Sequence, residues 1–299
     1  MNKLGTLKEN QRLALISERL DSVQSQFNLS QEGHNDPISM VLVYKDPGDR
    51  EVAAFVAAVF SYGNVPQIQK TLGTIFEILG PTPVQNLKNS DGNHWKKVIP
   101  TQFKHRFNDA KDLGCLLTWL GQALRSHKSL EDFFLACQPS PNIEDIGVAL
   151  ENFIDGLTAF DGRPFKPAKT KGVHFFLTRP SNKSACKRLL LFLRWVVGTG
   201  PMDLALWTKI RKDILLIPVD THVLRISKHL GFTKRKDNSW KTAQEITSQL
   251  KLLDAKDPTR YDFALCHIGI SKECPSRFNK IVCTRCRMND LCLTYARRG

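Results

Sequence analysis

The sequence predicts an all-α protein of ten or more helices, on three observations. Apolar residues recur at steps of three and four along most of the chain, as in Leu13, Ile16, Leu20, Val23 and Phe27. No stretch of useful length alternates apolar and polar residues with the two-residue period of a strand. Pro and Gly punctuate the periodic segments at Asp36-Pro37, Asp46-Pro47-Gly48, Gly80-Pro81 and between Pro139 and Pro141.

Taken in order, residues 7–27 are expected as one amphipathic helix and Pro37–Tyr44 as a short one. Asp49–Tyr62 is apolar nearly all round, which marks a buried helix. Val65–Leu79, Leu113–Leu124 and Ile146–Leu157 follow the same periodicity. Residues 160–180 form a long loop rich in Pro, Gly and Lys, a length that in compact proteins marks function or disorder. Ser181 and Ser184 open a helix running to Val197, and residues 203–212 are expected to be helical. Asp220 starts another helix that Gly231 stops; 239–253 and 258–269 complete the set.

The net charge is +14 and is unevenly placed. Residues 161–188 hold eight basic side chains against one acid, and residues 260–299 hold eight against three. Surplus concentrated in two segments points to a polyanion-binding surface, with nucleic acid the first candidate. No apolar run approaches membrane-spanning length, so no membrane role is expected. The N-terminus lacks the apolar region of a signal peptide, so a cytoplasmic protein with reduced thiols is expected.

Two features carry chemistry. In Ile217-Pro218-Val219-Asp220-Thr221-His222 a carboxylate sits at a helix start, on the positive end of the helix dipole. That residue type is an ordinary N-cap and is equally a fixed negative charge available to a substrate. Near the C-terminus, Cys274, Cys283, Cys286 and Cys292 fall in one short segment of low apolar content. Such a segment buries too little surface to order itself, and four thiolates bind either a tetrahedral zinc or a [4Fe–4S] cluster. The remaining cysteines, Cys115, Cys137, Cys186 and Cys266, lie singly in apolar helices and are expected in the core.

A Val-Asp-Thr-His helix start followed by four clustered cysteines resembles the endonuclease III branch of the helix-hairpin-helix DNA glycosylases. The last two cysteine intervals, two and five residues, match that branch; the first, eight residues, is longer. The chain is closer still to a bacterial family of unknown function within that superfamily. The shared segments are the Asp-Pro turn, the Ser61-Tyr62-Gly63 helix end, Ser184-Ala185-Cys186-Lys187-Arg188 and the Pro218–His222 stretch, over most of residues 36–292.

The resemblance implies two helical lobes with a cleft between them: a barrel-like domain over 37–215, and a terminal domain from 1–36 plus 216–299. It implies a [4Fe–4S] cluster on the four cysteines, zinc being the alternative, and a monomer acting on DNA, with RNA left open. Arg277, Lys280, Arg285 and Arg287 would face phosphates, as would Lys183, Arg188 and His222. Tyr62 and Asn64 would fill the gap left by a flipped base. The superfamily's hairpin string is missing, and two registers compete. Placing the hairpin at Gly198-Thr199-Gly200 puts Met202 at the lysine position and removes Schiff-base chemistry. Placing the amine on Lys187, 33 positions before Asp220, is similar to the archaeal 8-oxoguanine glycosylases and is preferred. Asp220 would then stabilise the positive charge that grows on the sugar, and Lys187 would attack it, giving a glycosylase with or without AP lyase activity. A non-catalytic nucleic-acid-binding iron–sulfur protein on the same scaffold is the competing expectation.

Overall fold

The computed structural model describes residues 8–27, 36–165, 171–271, 273–275 and 277–298. The fold is predominantly helical. Helix α1 (Glu9–Gln24) is followed by α2 (Pro37–Val41), α3 (Pro47–Phe60), α4 (Val65–Leu79), α5 (Pro83–Asn89) and α6 (Gly92–Val98). A two-stranded antiparallel hairpin, β1 (Lys104–His105) and β2 (Asn108–Asp109), interrupts the helices. After it come α7 (Ala110–Ser126), α8 (Leu130–Ala136), α9 (Ile146–Thr158), α10 (Lys171–Phe176) and α11 (Lys187–Val197). The chain closes with α12 (Thr221–His229), α13 (Trp240–Leu250), α14 (Asp262–Ile270), α15 (Lys280–Thr284) and α16 (Leu293–Arg298).

The buried apolar side chains fall into two clusters. One runs from Ile38 to Leu215 and is centred on α3. The other joins Leu13, Ile16, Leu20 and Val23 of α1 to residues from Ile217 to Leu291. Helix α3 is capped by Asp46, which accepts from the Gly48 and Asp49 amides, and it begins with Pro47, whose missing N–H costs nothing in a first turn. Its residues from Val52 to Phe60 are all buried. Glu51, on the same helix, is buried yet well used. Its carboxylate accepts from the Leu130 and Glu131 amides (2.8 and 2.9 Å) at the N-terminus of α8, and from the Trp207 indole (2.5 Å). Burial pushes its pKa up, and these three donors oppose the shift.

Residues 203–212 are not helical, against the sequence expectation; the only helical turn there is Lys212–Ile214. The amides of Leu204, Leu206 and Trp207 bond to the last carbonyls of α11, on Trp195 and Val196 (2.7 Å each). Capping another helix's C-terminus took the donors that a local helix needs. The long loop expected at 160–180 contains α10, while residues 166–170 lie outside the described residues. Helix α11 opens at Lys187 and not at Ser181 or Ser184: Cys186 is left-handed (φ 47°), which blocks an earlier start. Asp220 caps α12 and Gly231 (φ 76°) ends it, as the sequence indicates. Among the described residues no helix is long and apolar enough to cross a membrane.

Candidate active site and cationic groove

Asp220 follows the buried segment Ile217–Val219, whose first amide is held by the Thr247 hydroxyl (3.0 Å). Its backbone is extended, and its Oδ1 accepts from the His222 and Val223 amides, both at 2.8 Å. Capping therefore accounts for one carboxylate oxygen. The other, Oδ2, accepts from the Cys266 thiol (3.5 Å) on α14. Burial first, and then the Asp220 and Asp262 charges, push the Cys266 pKa well up, so it stays a neutral donor. Asp220 itself is half-buried and retains contact with solvent.

Lys187, the first residue of α11, is also half-buried, and its amine donates to the Ser61 carbonyl (3.5 Å) at the end of α3. Its charge lowers the pKa values of Asp262 and Cys266; the Asp220 charge raises both. Asp262 and Cys266 lie one turn apart on α14, so the charges of the two residues singled out as catalytic act on the same pair of side chains. Behind them, Arg194 is 2% exposed and pairs with Asp203 (3.2 Å) and Asp262 (3.6 Å). Gly198 is needed there: a Cβ on it would stand 2.5 Å from an Asp203 oxygen and 2.6 Å from the Arg194 carbonyl. Met202, the lysine position of the competing register, is buried in the first apolar cluster.

Burial drives the Asp262 pKa up to about 7, with Arg194 opposing. The unfolded chain releases that proton near 3.8. Between these values the folded state holds a proton that the unfolded state has lost, so stability falls as pH rises from about 4 to about 7. Asp262→Asn is expected to flatten that slope in urea titrations, by no more than about 4 kcal/mol at roughly 1.4 kcal/mol per pKa unit. Asp36 and Asp257, whose pKa values burial also raises, leave a residual slope of the same sign. An unchanged slope in the variant would show that Asp262 titrates normally.

His222 is half-buried and packs against Gly269 of α14, where a Cβ would come within 2.7 Å of it. Arg225, one turn further along α12, donates to the carbonyls of Gly269 (3.0 Å) and Cys274 (3.1 Å). This ties α12 to the first of the four clustered cysteines. Cys274, Cys283, Cys286 and Cys292 all line one cavity of about 50 Å³. The Met288 amide donates to the Cys286 sulfur and the Tyr295 amide to the Cys292 sulfur, both at 3.4 Å. Burial pushes the Cys274 thiol up to about 11, against the nearby Arg225 cation, with Cys286 and Cys292 adding to the rise. Among the described residues no three His, Cys, Asp or Glu side chains are gathered closely enough to hold a single metal ion.

Thr221, one position beyond Asp220, begins a groove of about 920 Å³ that follows α12 to the C-terminal helix. Among the described residues its cations are Arg225, Lys228, Lys234, Arg277, Arg297 and Arg298, and no Asp or Glu side chain lines it. Of these the sequence reading had singled out Arg277 alone. The others are spread from α12 to α16, and only the fold gathers them. Lys280 and Arg285 are exposed on and beside α15, and Lys183 is exposed with a left-handed backbone (φ 59°). Arg287 makes a two-bond pair with Glu273 (2.8 and 3.1 Å), so its charge is partly spent beside the cysteines.

Arg188 is 7% exposed, and its guanidinium lies over the rings of Phe175 (3.9 Å) and Tyr62 (5.0 Å). It braces the aromatic pair instead of reaching outward. Tyr62 is half-buried, with its hydroxyl bonded to the His105 carbonyl (2.9 Å) and to Asn108. Asn64 caps α4 by accepting from the Gln67 amide (2.9 Å). Both residues therefore have local structural work.

No curated protein and no solved structure matches the chain. A family model described as Protein of unknown function (DUF2400) matches residues 36–271, a span that includes Lys187, Asp220 and Cys266 and stops short of Cys274. That span is well over half of the sequence, and the chain belongs to this family.

Proposed function

We propose that the protein is a DNA-binding base-excision enzyme that cleaves the N-glycosidic bond of a damaged or mismatched base. The observation that carries this reading is the position of Asp220. It is a half-buried carboxylate with one oxygen outside its capping role, its charge and that of the Lys187 amine both act on Asp262 and Cys266, and it directly precedes Thr221, a lining residue of a groove of cations.

On this reading the groove takes the phosphate backbone, and the target base leaves the stack to reach Asp220, which costs a few kcal/mol and least at a damaged site. As the bond from the sugar C1′ to the base nitrogen breaks, positive charge grows on the sugar and the Asp220 carboxylate stabilises it. The neutral Lys187 amine bonds to C1′ as the bond to the base breaks, and the proton it loses goes to the departing base. The C1′–O4′ bond then opens, with the second N–H proton passing to O4′, to leave a Schiff base; loss of the C2′ proton from it breaks the C3′–O bond, expels the 3′ phosphate and nicks the strand. The two apolar clusters would be the two lobes, 37–215 and 1–36 plus 216–299. The four cysteines are the donor set of a tetrathiolate group and all line one cavity, with two sulfurs accepting backbone N–H bonds of the kind that tune metal thiolates; binding would draw the sulfurs closer together than they stand here. A [4Fe–4S] cluster there, or zinc, would supply a rigid frame for Arg277 and its neighbours.

A non-catalytic nucleic-acid-binding protein is the second reading. It is favoured by the burial of Met202 and by the Lys187 amine being engaged with the Ser61 carbonyl. Borohydride trapping on duplexes carrying damaged bases or abasic sites separates the two. The expected result is a covalent adduct with the native protein, reduced more than 100-fold in Lys187→Ala. Base release with no adduct would leave a glycosylase without lyase chemistry. Binding with neither would establish the second reading.

A further inference from the structure

We propose that Phe107, at the tip of the β1–β2 hairpin, is a stacking surface for an unpaired or displaced nucleobase, with Lys104, Arg106 and Lys111 holding the flanking phosphates. This rests on the nucleic-acid reading above and adds a contact element to it. Phe107 is 66% exposed, the one exposed phenylalanine among the described residues. Its hairpin neighbours His105 and Asn108 are fully buried, so the tip projects from a fixed base. Arg106 takes the left-handed backbone (φ 53°) that turns the hairpin, and its guanidinium lies 5.3 Å from the Phe107 ring centre.

The root of the hairpin is bonded on every side. His105 shares hydrogen bonds with the Thr71 hydroxyl (2.8 Å) and the Tyr62 carbonyl (2.9 Å). The Asn108 amide donates to the Gly172 carbonyl (2.6 Å) and to Asp112 (3.1 Å). Phe107 stands edge-to-face on Phe175 (5.5 Å), which is backed by Arg188 and by Tyr62 (4.9 Å). Tyr62 adjoins Ser61, whose carbonyl receives the Lys187 amine. Edge-to-face ring contacts thus lead from the exposed ring to Tyr62, whose chain neighbour Ser61 receives the candidate nucleophile.

A lone exposed apolar side chain is commonplace. This one has a π-face, a rigid backing and three exposed cations beside it. The single carboxylate between residues 104 and 111, Asp109, is engaged in capping α7 through the Lys111 and Asp112 amides. An aromatic face among cations is complementary to a base and its phosphates. An apolar peptide would find only one ring, with charge around it.

The test uses the full chain and a duplex carrying 2-aminopurine beside an abasic site. The native protein is expected to change the 2-aminopurine emission on binding. Phe107→Ala and Phe107→Leu are expected to lose that change and to weaken binding about tenfold or more, while Phe107→Tyr retains both. The ring is exposed, so matched melting curves will show the variants folded. Native-like emission and affinity in Phe107→Ala and Phe107→Leu would overturn the stacking assignment and leave the nucleic-acid reading intact. A native protein that binds no duplex at low salt would overturn both.

Discussion

Asp220→Asn is expected to lower base release by about 10²–10³-fold while leaving the fold in place. The substitution separates two roles of one side chain. Asn caps helices about as well as Asp, so the bonds to the His222 and Val223 amides survive. What disappears is the negative charge on the residue that precedes Thr221 of the groove. If sugar cation character develops there, its stabilisation goes with the charge. Asp220→Ala removes the cap as well and should add about 1 kcal/mol of destabilisation in a urea titration. The informative comparison is between the two variants. Equal loss of activity with unequal loss of stability identifies the charge as the working part. Native activity in Asp220→Asn would reduce the residue to a cap and end the proposed mechanism.

Cys286→Ser is expected to have the largest effect on structure. Between Ser271 and Arg298 the only fully buried apolar side chains among the described residues are Met288 and Leu291. That amount of burial, about 2–3 kcal/mol each, falls short of the entropy of ordering such a segment. Polar ties help: Arg19 bonds to the Arg287 carbonyl and to Asp290 (3.1 Å), and Arg12 to the Leu291 carbonyl (3.4 Å). On the proposed reading, a metal bound by the four thiols supplies the remaining order, since structural metal sites contribute on the order of 10 kcal/mol. The native protein is expected to carry iron, or zinc, at one site per chain by elemental analysis. The variant should lose it, and trypsin should cut at Arg277, Lys280 or Arg285 more than tenfold faster. A metal-free native protein with a protease-resistant C-terminus would show that packing alone holds the segment.

The helices that were legible in the sequence are those whose signals are local. Asp220 and Gly231 delimit α12 through chemistry contained within a few residues, and the spacing Leu13-Ile16-Leu20-Val23 gives α1 its buried face. Residues 203–212 were misread because Leu204, Leu206, Trp207 and Ile210 can be laid on a helix, but their backbone donors serve α11. The hairpin that carries Phe107 has strands of two residues, too short for a period to register. The groove was only partly legible for a different reason. Net charge draws attention to the C-terminal segment, but Lys228 and Lys234 lie between the two segments singled out, in residues 189–259, which carry a surplus of five of their own. They become part of one surface only when α12 lies beside α16.

His229, Phe278 and Thr294 line both the cysteine cavity and the groove, and His229 is bonded to Thr294 (2.7 Å). The two spaces thus have three side chains in common. On the proposed reading, a metal drawn onto the thiols would shift residues that also border the polyanion groove, so stripping it with a chelator is expected to weaken duplex binding as well as loosen the C-terminus.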